Sequence, residues 1–277
     1  MKTRHHILQE EKTMYTNNTT HRLNKTFTTA LALGLLVTAP ALAAEEAKPT
    51  ANLTVAALSQ YIFRGFEQGK DSLVIEPSLT VGYEGFSANL WGNLDTDRTG
   101  NDASHWQETD LTLAYAYTIG KVGLSAGYIY YGYGLNNEDT QEFYVSTSYD
   151  TLLKPTLAVY RDTDHYAGWY ITAAVSHALP LTDQLKLDLG AKASYLQADD
   201  ASSYSKRGLG EEPCDGFHDG VLSASINFPV HTYITITPQV AYSFPLTSMA
   251  ADLIKSVSFN GEDSSFIYGG VAVSLAF

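Results

Sequence analysis

Between Leu53 and Phe277 the chain alternates apolar and polar positions in about twelve runs of roughly ten residues, the period of strands rather than helices. The alternation is cleanest over 111–119, where Leu111, Leu113, Tyr115, Tyr117 and Ile119 are interleaved with Thr112, Ala114, Ala116 and Thr118. Successive strand side chains point to opposite faces, so one face is apolar and the other small and weakly polar. Elsewhere Ile75, Leu79, Val81 and Tyr83 oppose Glu76, Ser78, Thr80 and Gly82. Leu222, Ala224, Ile226 and Phe228 oppose Val221, Ser223, Ser225 and Asn227, and Val271, Val273, Leu275 and Phe277 oppose Ala272, Ser274 and Ala276.

Short connections at 84–85, 120–121, 150–155, 180–184 and 229–232 interleave with longer ones at 64–73, 96–107, 134–140, 162–167, 199–219 and 245–263, without a break in parity. A soluble sandwich has no reason to sort its loops by length, because both of its ends meet the same water. A transmembrane barrel does, with tight periplasmic turns and longer extracellular loops on an even number of tilted strands.

Which residues occupy the second face separates the two architectures. A solvated strand face is normally dressed with Lys, Glu and Arg against edge pairing. Here it is Gly, Ala, Ser and Thr, which suit the concave wall of a closed barrel and leave the apolar face to lipid. The expectation is an all-β fold: a transmembrane, antiparallel, up-and-down β-barrel of about twelve strands, with about ten or fourteen as the alternatives. Aromatic residues agree. Tyr83, Phe86, Tyr117, Tyr149, Phe228 and Phe277 gather toward the short turns, and Tyr128, Tyr130, Phe143, Trp169, Tyr195 and Phe244 toward the long loops, as two headgroup-level girdles would require. Pro77 and Pro238 fall inside strand runs, and each predicts a bulge or a local break, because a closed barrel has no free edge to excuse a missing donor. The run 157–161 is short, and its neighbours can be paired in more than one way.

The first 43 residues read as an export signal: Arg22 and Lys25, an apolar stretch from Thr26 to Pro40, and an Ala41-Leu42-Ala43 cleavage site. Either Met1 or Met14 serves as the start. One β domain is expected over 44–277. No later stretch approaches the length of a membrane helix. Of 17 basic and 30 acidic residues, five and two fall in the leader, which leaves the domain near −16 and excludes nucleic acid as a partner. Cys214 is the single cysteine, so no intramolecular disulfide forms, and it reads as an incidental loop thiol.

The run Ser59-Gln60-Tyr61-Ile62-Phe63-Arg64-Gly65-Phe66, then Glu76-Pro77-Ser78-Leu79, Tyr83-Glu84-Gly85-Phe86 and Trp91-Gly92-Asn93, resembles the opening of the TorF-type porin family. In that family an S-x-Y-x-x-R-G stretch ends the first strand. The likeness covers about forty residues, and 85–93 departs from the family pattern in detail. The terminal Val271-x-Val273-x-Leu275-x-Phe277 is similar to the last strand of assembled outer-membrane barrels. The resemblance implies a barrel in the outer membrane of a Gram-negative cell and names no solute.

Catalytic chemistry has little to stand on. His105, His165 and His218 lie in expected long loops, His231 in a short turn, and His177 beside Ser176 with the two on opposite faces. Neither G-x-S-x-G nor H-E-x-x-H occurs. His165 with Asp162 and Asp164, or Asp215 with His218 and Asp219, could hold a divalent ion, but solvated loop carboxylates explain both groups, and neither a metal nor a cofactor is expected. By parity Glu76, Asp95, Lys186, Asp188 and Lys192 point into the lumen, with Arg64 at its mouth. They are the candidate pore-lining residues of a narrow channel passing small hydrophilic solutes. The alternatives are a plugged, structural or surface-interacting barrel, and an outer-membrane hydrolase.

The expected partners are outer-membrane lipid and lipopolysaccharide outside and small hydrophilic solutes inside. The six long connections carry seventeen acidic and six basic residues, so the outer vestibule should concentrate cations, although Lys186 and Lys192 oppose this at the constriction. Topology is testable directly. Protease added to intact cells should cut a tag placed within 199–219 and spare one within 150–155, and the opposite pattern would invert the barrel.

Overall fold

The computed structural model describes residues 48–69, 71–97, 103–134, 138–200, 213–259 and 261–277. The leader expected over 1–43 and the middle of the 199–219 connection lie outside them. In chain order the strands are β1 (Thr50–Leu58), β2 (Ile62–Phe63), β3 (Phe66–Glu67), β4 (Val74–Tyr83), β5 (Phe86–Asp95), β6 (His105–Ile119) and β7 (Val122–Tyr133). There follow β8 (Thr140–Tyr149), β9 (Thr156–Asp162), β10 (Gly168–Pro180), β11 (Lys186–Ala198), β12 (Asp215–Ile226), β13 (Phe228–Pro229) and β14 (Ile234–Pro245). One helix, α1 (Ser248–Val257), precedes β15 (Phe266–Ala276).

Twelve of these strands close on themselves. Each pairs antiparallel with its neighbour in the ring, and the last, β15, pairs with the first, from Asn52↔Ala276 to Leu58↔Gly270. Closure is what lipid demands, since an open edge would leave backbone groups without partners in hydrocarbon. The alternation sorts side chains as that environment requires. Leu53, Leu79, Leu90, Leu113, Val145, Leu222, Val240 and Val273 are exposed on the outer wall. Ala56, Thr112, Ala114, Ala158, Thr237 and Ala272 are buried on the inner one.

Pro77 and Pro238 both sit on the outer face, and both mark local breaks rather than bulges. The β4–β5 ladder lapses between Ile75↔Leu94 and Ser78↔Trp91 and resumes in the same register. The ladder facing Pro238 ends at Ser225↔Gln239 and resumes at Phe228↔Ile236, also unshifted. The bulges fall elsewhere, at Asn93/Leu94 against β6 and at Ala193/Tyr195 against β12.

Several connections differ from the periodicity reading. β6 begins at His105 and β12 at Asp215, so 105–107 and 215–219 belong to the wall. The short run becomes the seven residues of β9, paired on both sides. The 245–263 connection contains α1, whose N-terminus is capped by Thr247: its hydroxyl accepts from the Ala250 amide at 3.1 Å. The first long connection does not stay at the surface. Its β2–β3 hairpin enters the barrel, where Ile62 and Phe66 pack with Leu253 and Ile254 of α1 and with Leu196. Cys214 lies in the connection before β12, as expected, but is buried in the same cluster.

The face assignment predicts depth-dependent costs. Leu113→Arg, mid-strand on the outer wall, should destabilise the barrel by about 2–4 kcal/mol, and Trp106→Arg, near the long-loop rim, by about 0–1 kcal/mol. Denaturant unfolding in vesicles measures both, and equal costs would contradict the placement.

Candidate functional site

The site is the lumen, and the hairpin dominates it. Phe63-Arg64-Gly65-Phe66 makes its turn, with φ of 50° at Arg64 and 84° at Gly65, the paired left-handed backbone of a two-residue hairpin loop. Gly65 is required twice over, because a Cβ there would also sit 3.1 Å from both Asp219 Cβ and Ile254 Cδ1.

Arg64 is therefore not at the mouth. It lies inside the barrel, level with Glu142 and Tyr170, each the third residue of its strand from the long-loop end. Nothing in a two-residue period signals that a loop turns inward, which is why alternation misplaced it. Its Nη2 donates to Glu142 Oε2 at 2.7 Å, and the two side chains are 8% and 2% exposed. Three rings enclose the guanidinium: Tyr170 at 4.3 Å, Phe63 at 4.9 Å and Tyr160 at 5.4 Å from Cζ to centroid. The same Glu142 oxygen accepts from the Tyr131 hydroxyl at 2.9 Å. Other bonds tie the hairpin to the wall and to α1. His218 Nε2 meets the Arg64 carbonyl at 2.9 Å, Tyr61 donates to Glu108 at 2.9 Å, and Gln107 donates to the Gln68 carbonyl at 2.5 Å. The Glu67 amide donates to Ser258 Oγ at 3.0 Å, and the Phe259 amide to the Glu67 carbonyl at 2.9 Å.

Around the hairpin Val74, Asn93, Asp95, Glu108, Glu142, Leu196, Asp219 and Ser243 are all buried, so the outer half of the lumen is filled. The half toward the short turns differs. Asn52, Thr54, Ser78, Thr80, Ser125, Ser146, Ser176 and Ser223 line it and keep partial exposure, forming a hydrated vestibule of small polar groups.

The other five candidate residues share the inner face without forming one cluster. Glu76 accepts from Asn93 Nδ2 at 3.3 Å. Asp95 accepts from Ser72 Oγ at 2.5 Å and from the Asp97 amide at 2.9 Å, so it pins loop ends rather than facing open space. Lys192 Nζ pairs with Asp219 Oδ2 at 3.0 Å and donates to the Tyr170 hydroxyl at 2.8 Å. Lys186 and Asp188 lie at the far end of β11, where Asn227 Nδ2 donates to Asp188 at 2.7 Å. Glu108, Asp110 and Glu142 fall inside the expected runs 108–119 and 141–149, but the inward parity was not carried to them. Counting back from Thr112 by twos reaches both Asp110 and Glu108.

The histidines are scattered. His165 contacts Glu138 and lies 3.7 Å from Asp164. His177, on the outer face, meets the Leu152 carbonyl at 2.8 Å, and His218 is buried under Phe66. Asp215 accepts from Tyr195 on the outer wall and so points away from His218 and Asp219. Among the described residues no histidine is hydrogen-bonded to a serine or threonine. At the long-loop rim Arg161 grips Asp199 through both guanidinium nitrogens, at 2.7 and 2.5 Å, and holds that carboxyl below its usual range.

No protein-family model matches the sequence, and no curated protein does. Solved structures do match. The NanC porin aligns at a TM-score of 0.53 and 13% identity, over 80% of this chain and 98% of that one. The KdgM porin aligns at 0.50 and 10%, over 82% and 99%. The COG4313 outer membrane channel from Pseudomonas putida F1 aligns at 0.50 and 9%, over 83% and 95%. This chain has the fold of the outer-membrane porins. With its apolar outer wall, that fold places it in the outer membrane.

Removing one member of a buried ion pair leaves the other charge uncompensated. Arg64→Ala should therefore loosen the hairpin by about 3 kcal/mol. Exchange of the Gln68 and Phe259 amides should accelerate by roughly a hundredfold, while strand amides such as Ala116 keep their protection. Hydrogen exchange in nanodiscs reads this, and an unchanged hairpin rate would show that the pair does not hold it.

Proposed function

We propose that the protein is an outer-membrane channel for small hydrophilic solutes, shut in this conformation by its own first loop. The observation that carries the reading is the chemistry of the closure. The hairpin rests on one ion pair, three rings and a set of single hydrogen bonds. Around Arg64 the wall presents carboxylates and phenols, while Ile62 and Phe66 on the hairpin's flanks pack with Leu196, Leu253 and Ile254. A permanent plug has no use for such a wall, because well-packed hydrophobic residues in place of a buried ion pair are commonly neutral or stabilising. Polar contacts of this kind can be remade with water, as a movable segment requires.

Beneath the hairpin, the vestibule of Ser, Thr and Asn offers a wetted path to the periplasmic end. Twelve strands enclose more space than the side-chain-filled eight-stranded barrel and less than a sixteen-stranded porin, which suits small solutes. The likeness of 59–93 to TorF-type porins agrees with this reading. Glu76, Glu108, Asp110, Glu142 and Asp219 outnumber Arg64 and Lys192 on and within the inner wall, and the outer loops carry the same sign. We therefore propose a preference for cations, with lipid and lipopolysaccharide as the partners of the outer wall. Catalysis has no comparable support, since no serine or threonine hydroxyl is hydrogen-bonded to a histidine among the described residues.

In planar bilayers the wild-type protein should give small, infrequent conductance steps. A variant with 62–67 replaced by a Gly-Ser linker should give larger and steadier ones. Reversal potentials in a KCl gradient should favour potassium, with the preference fading once the screening length falls below about 10 Å, near 0.1 M salt. If both proteins stay silent, the barrel is a structural one. Anion preference at low salt would overturn the charge argument.

A further inference from the structure

We propose that Glu76, Asn93, Glu108 and Asp110 form a lumenal binding site for a compact organic cation carrying protonated amines, reached from the periplasmic vestibule. The inference rests on the channel reading and names the class of solute such a channel would recognise. Register brings the residues together. Asn93 lies directly opposite Glu108, and Trp91 opposite Asp110, on the paired strands β5 and β6. Asn93 also donates to Glu76 of β4 at 3.3 Å. Directly opposed side chains on such strands start about 4.5–5.5 Å apart at Cβ, so the three carboxyls border one space.

That space has too many acceptors. Among the described residues the Tyr61 hydroxyl donates to Glu108 at 2.9 Å, and the Asn93 amide and the Trp91 indole donate to Glu76, three donors for three carboxyls and an amide oxygen. Arg64 is engaged with Glu142, and Lys192 with Asp219. The carbonyl oxygen of Asn93, a residue with no exposed surface, accepts no hydrogen bond, and Asp110 Oδ1 likewise has no donor. A buried amide oxygen without a partner is costly, and adjacent carboxylates repel unless positive charge lies between them. An ammonium group supplies what is missing, three donors and a charge.

The geometry favours an organic cation over a metal ion. Among the described residues no three acidic or histidine side chains converge closely enough to hold a metal. Aromatic surface flanks the carboxyls instead: Tyr61 and Trp91 have ring centroids 5.5 Å apart, and such faces attract alkylammonium groups. Access is from below, since Trp91, Asp110 and Ser78 keep partial exposure toward the vestibule while Glu76, Asn93 and Glu108 lie buried behind them.

Trp91 is a built-in reporter, because Trp106 and Trp169 are both exposed on the outer wall. In a Trp106→Phe, Trp169→Phe protein held in nanodiscs, 1,4-diaminobutane should change the Trp91 emission saturably. 1,4-Butanediol, succinate and sodium chloride at matched ionic strength should not. Asp110→Asn and Glu76→Gln, each checked for heat-modifiable folding, should weaken the response at least about tenfold, as loss of one partner of a buried charged contact does. An equal response to the diol or to sodium chloride, or full binding by both variants, would overturn the site. Binding is read without conduction, so saturable binding in a silent barrel keeps the site and removes the channel reading. Conduction without binding does the reverse.

Discussion

Every feature of this molecule depends on one requirement: in hydrocarbon, each backbone N–H and C=O must find a partner within the protein. The β1–β15 pairing meets it by joining the first and last strands and abolishing both sheet edges. Once the ring closes, the usual sense of inside and outside is exchanged. Leucine and valine go to lipid, and the space where a soluble domain would keep its core must be filled by whatever points inward. The prolines show how little slack remains. Pro77 and Pro238 each cost a ladder bond, yet neither shifts the register, so the breaks stay local and the ring stays intact.

A twelve-stranded ring encloses more than its own inward side chains can fill. Here the first long connection supplies the remaining mass to the outer half of the lumen, and α1 covers it. That solution carries a cost, since Arg64 gives up water for a low-dielectric interior. The cost is met by one carboxylate and three aromatic rings, and they also hold Arg64 at a positive φ that only Gly65 beside it adopts freely. The cost is also selective. It falls on the tip alone, because Ile62 and Phe66 on the hairpin's flanks are packed with Leu196, Leu253 and Ile254.

How far the sequence could be read follows from which forces leave a periodic trace. Lipid contact acts on every second residue of every strand, and so the barrel, the sorted loops and the inward face of Glu76, Asp95, Lys186, Asp188 and Lys192 were all legible. The hairpin was not, because its placement depends on contacts far apart in sequence: Arg64 with Glu142, Arg64 with His218, Tyr61 with Glu108. Its one local trace is the Arg64-Gly65 turn. Charged residues at strand ends were misread for a related reason. Glu108, Asp110 and Glu142 lie near the long-loop ends of their strands, beyond the clean alternation, yet they continue the inward parity of Thr112 and Tyr144.

What parity cannot explain is the sign of the inner wall. A barrel selected for stability alone would keep ionised groups out of a filled lumen, because each carboxylate there loses hydration worth several kcal/mol. This one buries Glu76, Glu108, Glu142 and Asp219 around the hairpin, with Arg64 against Glu142 and Lys192 against Asp219. The arrangement persists because the wall of the barrel is overdetermined by its ladder, and a rigid scaffold can carry local destabilisation that a loop could not. On the channel reading proposed above, carboxylates held in fixed positions beside the hydrated vestibule are what would favour mobile cations over anions. The outer half of the lumen thus combines a small apolar core around the hairpin with a carboxylate-rich wall, a combination that the ladder makes tolerable.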